Sequence, residues 1–274
     1  MFIGRGRELS ALERLYKSDK FEFAVIYGRR RVGKTALINK FIDDKNAIYF
    51  MGVESNAKQN LENFSKSIME YVSGTEIDSI FSSFQSALEY VFRLAEKERI
   101  ILAIDEYPYV ARSSKSLAST LQLLIDKYKD KSKLMLILCG SSMSYMEDHV
   151  LAYKAPLYGR RTAQIKLLPF DFEETCRYFK NFAAEDKALI YGVVGGTPQY
   201  LLQINDALSV EDQPDAPLMQ LALNCLYALS RGMYTPEHIK AAFELRLMCL
   251  AGYTPELSRC AVCGEEEPGD PVLM

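Results

Sequence analysis

The chain has 274 residues, 49% of them apolar and 25% charged, with a formal net charge of −3. That length buries a core without staples, and the composition excludes disordered, collagen-like and linker-like chains. No apolar run approaches the ~18 residues of a membrane span, the first nine residues are charged where a leader would be apolar, and six Cys are too few for a disulfide scaffold. A cytoplasmic protein with reduced thiols and no membrane partner is expected.

Five short apolar runs read as buried strands: Phe21–Tyr27, Ala47–Met51, Ile100–Ile104, Leu134–Cys139 and Ala163–Leu168. Continuous apolar runs of this length suit parallel strands covered on both faces. Helical spacing lies between them, in Leu61, Phe64, Ile68 and Val72, in Phe81, Phe84, Leu88, Val91 and Ala95, and in Leu117, Leu121, Leu124, Ile125 and Tyr128. Alternating strands and amphipathic helices predict an α/β fold with a doubly wound parallel sheet of about five strands. These stripes are core, and no chemistry is assigned to them.

The first strand runs into Gly28, Arg29, Arg30, Arg31, Val32, Gly33, Lys34 and Thr35, and a helical run follows from Ala36 to Ile42. This is G-x-x-x-x-G-K-[ST] in its strand–loop–helix setting. The glycines let the loop wrap its N–H groups around phosphates, and the helix adds its positive end. Lys34 is the candidate contact to the β- and γ-phosphates, and the Thr35 hydroxyl a candidate ligand of Mg²⁺. The arginines at 29–31 either add phosphate contacts or face solvent.

The strand Ile100–Ile104 ends in Asp105 and Glu106, the Walker B pattern. Asp105 is assigned to Mg²⁺ and Glu106 to general-base or water-orienting work. The alternative is an acidic turn before Pro108. The strand Leu134–Cys139 ends in Gly140, Ser141 and Ser142, and is expected between the two motif strands. Ser141 or Ser142 would then sense the γ-phosphate or the lytic water, or simply make a local turn.

With these residues in place, the segment 1–206 resembles an AAA+-related family of prokaryotic, archaeal-type ATPases akin to the STAND signalling NTPases. Gly4 and Arg5 in Phe2-Ile3-Gly4-Arg5 are similar to the family's N-terminal box beside the adenine. Pro156–Thr162 is similar to its Leu-Tyr-Gly-Arg element, which makes Arg160, or Arg161 beside it, the candidate arginine finger. Gly195-Gly196-Thr197-Pro198 is similar to the Gly-Gly-x-Pro of its helical lid, so Pro198 joins the nucleotide-binding candidates. On residue chemistry alone, exposed basic residues and a helix-end turn explain the last two elements as well. The resemblance implies a P-loop core over 1–170 and a partial lid over 171–206.

Residues 1–206 hold 29 Lys and Arg against 26 Asp and Glu, net +3, whereas residues 207–274 hold 4 against 10, net −6. Six of the ten Pro fall in those last 68 residues. So abrupt a change marks a linker or fusion junction at 207–216. Two helical stretches follow, Pro217–Arg231 ended by Gly232 and Pro236–Leu250 capped by Thr235, predicting a small all-α segment.

The order Tyr227-Ala-Leu-Ser, Phe243–Leu247, Gly252-Tyr253-x-Pro255 and Cys260-x-x-Cys263-Gly264 resembles the C-terminal part of RecO, the DNA-repair recombination mediator. In that family a second Cys-x-x-Cys completes a zinc site. Cys260 and Cys263 are half of a tetrahedral site, so zinc is not expected. Over 217–274 the chain therefore carries a RecO-like helical fragment, and the whole reads as a chimera of two families.

The expected function is Mg²⁺-dependent ATP hydrolysis driving a conformational switch read by an unidentified protein effector. A homo-oligomer is compatible with an arginine finger. The alternatives are a RecO-like repair or interaction module, and a nucleotide-binding module without turnover. The net −6 segment gives nucleic acid no electrostatic support.

Overall fold

The computed structural model describes residues 2–74, 80–208 and 216–250. The described elements are, in order, α1 (Gly6–Tyr16), β1 (Glu22–Tyr27), α2 (Lys34–Ile42), β2 (Ala47–Met51), α3 (Ala57–Ser73), α4 (Phe84–Leu94), β3 (Ile100–Asp105), α5 (Tyr107–Ser113), α6 (Leu117–Tyr128), β4 (Leu134–Gly140), α7 (Met143–Met146), β5 (Ala163–Lys166), α8 (Phe172–Tyr178), α9 (Ala184–Val194), α10 (Pro198–Leu208), α11 (Ala216–Ser230) and α12 (Pro236–Leu250). A π-helical turn, Glu147–Leu151, continues α7.

The five strands form one parallel sheet in the order β2-β3-β4-β1-β5. The fold is α/β, and β4 lies between β1 and β3 as expected. Every residue of β1, β3 and β4 is buried. Alternate side chains feed two separate layers, as the period of a strand requires. Phe23, Val25, Ile100, Leu102, Leu134, Leu136 and Leu138 face α3, α4 and α6, whose Phe64, Leu88, Phe92 and Leu121 complete that layer. Ala24, Ile26, Ile101, Ala103, Ile137 and Cys139 face the other way, toward Leu12 of α1 and Leu37, Ile38 and Phe41 of α2. Continuous burial of both faces is why these strands read as unbroken apolar runs.

β5 is shorter than the sequence suggests. It ends at Lys166, although the Leu167 amide still donates to the Tyr27 carbonyl at 2.7 Å. The chain then leaves the sheet to meet other partners. A Cβ at Gly28 would lie 2.3 Å from the Leu167 carbonyl oxygen, so only glycine lets the loop begin there.

Chain contacts divide the protein into two compact units. One comprises residues 1–180 and 195–200, the other residues 181–194 and those after 200. In the second unit α11 and α12 pair as a helical hairpin. Gly232, at φ 60°, closes α11 with its amide on the Leu229 carbonyl, and the Thr235 hydroxyl accepts from the His238 amide at the start of α12. This is the all-α segment that Gly232, Thr235 and Pro236 predict.

Arg5 ties three parts of the first unit together. It is buried, and its guanidinium donates to the Val32 carbonyl at 2.9 Å and to the Leu168 carbonyl at 2.6 Å. It pairs with Glu8 at 3.6 Å and lies 4.6 Å over the Phe170 ring. Burial lowers its pKa, and Glu8 and Glu174 oppose that. Arg5→Ala strips a buried and a part-buried carbonyl of a charged donor, so about 2–4 kcal/mol of stability is expected to be lost. Urea denaturation measures this, and a change below about 0.5 kcal/mol would show that the clamp is energetically idle.

Candidate functional site

Parallel strands carry their carboxyl ends to one edge of the sheet, and the candidates of the glycine-rich loop and of the acidic strand end gather there. Tyr27 ends β1, and the loop from Gly28 to Gly33 leads into α2, with Gly33 at φ 89° before Lys34. Lys34 is buried, with its Nζ inside the loop, 3.1 Å from the Gly28 carbonyl and 2.9 Å from that of Arg29. The ammonium thus sits where the loop's own backbone curls around it.

The two residues at the end of the acidic strand have different surroundings. Asp105 is fully buried. Its Oδ2 accepts from the Thr35 hydroxyl at 2.6 Å and from the Tyr49 hydroxyl at 3.1 Å, and its Oδ1 from the Glu106 amide at 2.8 Å. None of the ion pairs among the described residues includes it. A buried carboxylate held only by neutral donors fits a cation as its charge partner. Because Thr35 gives its proton to Asp105, the hydroxyl's lone pairs are left for that cation. Among the described residues no group of three or more His, Cys, Asp or Glu would cage a metal. Magnesium beside a nucleotide needs no such cage, since one or two protein oxygens and the phosphates suffice. Thr35 and Asp105 are the residues that would hold it.

Glu106 lies just past β3, at φ 48° and ψ 42°. A non-glycine residue in this left-handed region costs of order 1–3 kcal/mol, and such strain concentrates at functional sites. Its Oε2 accepts from the Ser141 hydroxyl at 2.9 Å and from the Ser141 amide at 3.3 Å. Ser141, not Ser142, therefore meets Glu106. The Ser142 hydroxyl accepts from Arg112 at 3.4 Å instead.

The loop arginines have different partners. Arg30 donates to the Tyr109 hydroxyl at 2.9 Å, and Arg31, at φ 70°, to the Tyr200 hydroxyl at 3.0 Å. Arg29 is exposed. Val32 is buried, and its carbonyl takes the Arg5 guanidinium. The Pro198 ring comes to 3.8 Å from where a Gly33 Cβ would stand. This approach is possible because Gly196 lies against the chain after β5. A Cβ there would fall 1.7 Å from the Phe170 carbonyl oxygen, and the Phe170 amide donates to the Gly196 carbonyl at 2.7 Å. Gly4 is equally confined, with the Glu174 carboxylate 2.6 Å from its Cβ position.

Arg160 and Arg161 make no hydrogen bond to the phosphate loop. Arg160 forms a bidentate pair with Asp126 of α6, at 2.9 and 2.6 Å. Arg161 donates to the Leu151 carbonyl at 3.3 Å. Cys260 and Cys263 lie outside the described residues. Sequence reasoning passed over Tyr49, which reads as strand filler, and Tyr109 and Tyr200, whose hydroxyls meet the loop arginines. No local pattern marks these three, because each acts across a long sequence separation.

Residues 2–204 match the family model described as an ATPase domain predominantly from Archaea, and residues 198–273 match the C-terminal region of recombination protein O. An uncharacterised protein of Methanocaldococcus jannaschii is 36% identical over 206 residues, which are 74% of this chain and 44% of that protein. A DNA repair protein RecO of Acetivibrio thermocellus is 44% identical over 61 residues, 22% of this chain and 24% of RecO. The chain thus spans less than half the length of either relative. Among solved structures, a Walker-type ATPase of Pyrococcus abyssi gives a TM-score of 0.60 at 20% identity, covering 89% of this chain and 76% of that one. The ORC2 protein of Aeropyrum pernix, in its ADPNP–ADP complexes, gives 0.57 at 15% identity over 93% and 83%. At such identities the likeness is one of fold. The match to recombination protein O beyond the ATPase region gives the chain a chimera-like architecture, and over 2–204 it belongs to the family of ATPase domains predominantly from Archaea.

Proposed function

We propose that the chain binds ATP with Mg²⁺ at the loop Gly28–Thr35, hydrolyses it, and converts the change into a conformational signal for a protein effector. The observation that carries this reading is the 2.6 Å bond from Thr35 to Asp105, two residues 70 positions apart in sequence. It joins the phosphate loop to the acidic strand at the one place where a nucleotide-bound cation needs both.

In this reading the N–H groups of the loop and the start of α2 receive the phosphates, and Lys34 turns from the loop carbonyls to their charge. Mg²⁺, when bound, neutralises charge on the phosphate oxygens. Asp105 and Thr35 hold their oxygens ready for it. Glu106 takes or orients the proton of the attacking water, and Ser141 fixes where its carboxylate points. Arg160 and Arg161 stay the candidates for transition-state charge, and Arg160 must first leave Asp126. Gly4, Arg5 and Pro198 shape the loop's surroundings, with Arg5 acting through its hold on the Val32 carbonyl. No described helix is long and apolar enough to cross a membrane.

Lys34→Ala removes a charged contact worth about 1.5–3 kcal/mol, so ATP affinity should fall by about 10- to 150-fold. Fluorescent-nucleotide titration measures it, and binding equal to wild type would overturn the site. Glu106→Gln should keep ATP binding while phosphate release slows about 10²- to 10⁴-fold. Wild-type turnover in that variant would remove Glu106 from the chemistry, and no turnover in either protein would leave a binding module.

A second reading, a RecO-like repair module, is favoured by the match over residues 198–273. The net −6 of residues 207–274 repels a phosphate backbone. No mobility shift of duplex or single-stranded DNA is expected at about 150 mM salt, with or without ATP, and a saturable shift would favour this second reading.

A further inference from the structure

We propose that Tyr49 is a positioning residue for Asp105, and that through it Tyr49 sets the affinity of the site for magnesium. The inference deepens the nucleotide reading and rests on it. Tyr49 lies on β2, the edge strand beside β3, in register with Ala103. Met51, two residues on, is the register partner of Asp105. Side chains in strands lean along the strand, so a tyrosine two pairs upstream of the carboxylate, on the same face, has the length to reach it. Ala103, its direct neighbour, presents only a methyl group. The ring is partly buried against the layer built on α1 and α2, and its hydroxyl ends 3.1 Å from Asp105 Oδ2.

The terminal torsion of an aspartate is broad, so packing alone does not define which way its oxygens face. Three N–H and O–H donors hold it here, with the buried Cys139 thiol also against it, and of the three Tyr49 is the one that is neither a nucleotide-site ligand nor adjacent backbone. Thr35 shares its hydroxyl with the cation, and the Glu106 amide belongs to a strained residue. Tyr49 is thus the partner whose only task at this carboxylate is orientation.

The test uses the full chain and methylanthraniloyl-ATP as probe, titrated first in EDTA and then with Mg²⁺. Tyr49→Phe keeps the ring and its packing. It should bind nucleotide in EDTA within about twofold of wild type, while its magnesium half-saturation rises about 10-fold, as for loss of a partner behind a metal ligand. In an Asp105→Asn background the same change should shift half-saturation by less than about twofold, because the group it orients is no longer a carboxylate. A merely structural tyrosine would weaken EDTA binding too, or act equally in both backgrounds, and either result overturns the proposal. So does an unshifted half-saturation in Tyr49→Phe when wild type responds to Mg²⁺. Wild type that binds no nucleotide sinks the parent reading, and this one with it.

Discussion

All five strands point the same way, and that single constraint produces the site. In a parallel sheet each strand end is an exit at the same edge, so residues far apart in sequence arrive together without further arrangement. Gly28 leaves β1, Asp105 closes β3 and Ser141 follows β4. Because β4 runs between β1 and β3, the serine lands beside the glutamate that follows β3. The helices are consequences of the same constraint, since parallel neighbours need crossovers and crossovers cover both faces. Burial on both faces supplies the dry surroundings in which Asp105 and Lys34 hold their positions.

Those surroundings make polar groups expensive, and the structure shows how each is satisfied. Asp105 takes three donors, and Lys34 two backbone carbonyls. Arg5 hydrogen-bonds the loop at Val32 and the departing β5 chain at Leu168 with one guanidinium nitrogen. Two carbonyl acceptors and an aromatic face suit a planar cation better than an ammonium. The N-terminal Gly-Arg pair is therefore part of the loop's frame as much as of any ligand surface.

Legibility followed sequence distance. The phosphate loop, the Asp-Glu strand end and the strands themselves were readable because their signals are local: a spacing, an apolar run, a flanking helix. The helix hairpin after residue 216 was readable from Gly232, Thr235 and Pro236 for the same reason. The Asp126 partner of Arg160 was not, since a motif names the arginine and says nothing of an acid 34 positions earlier. Nor was the choice of Ser141 over Ser142, which depends on where the end of β4 falls beside Glu106. The overestimate of β5 has a similar cause. Leu167 and Leu168 are apolar like strand residues, but Gly28 packs closely against the Leu167 carbonyl and Arg5 donates to that of Leu168.

The left-handed backbone at Glu106 sets protein stability against the proposed chemistry at one position. Glycine takes that conformation without strain, and asparagine or aspartate takes it more easily than glutamate does. Selection for a sturdier fold alone would discard glutamate there, and, under the proposed role of Glu106, selection for turnover would restore it. The identity of residue 106 in any variant pool therefore records which of the two pressures was applied.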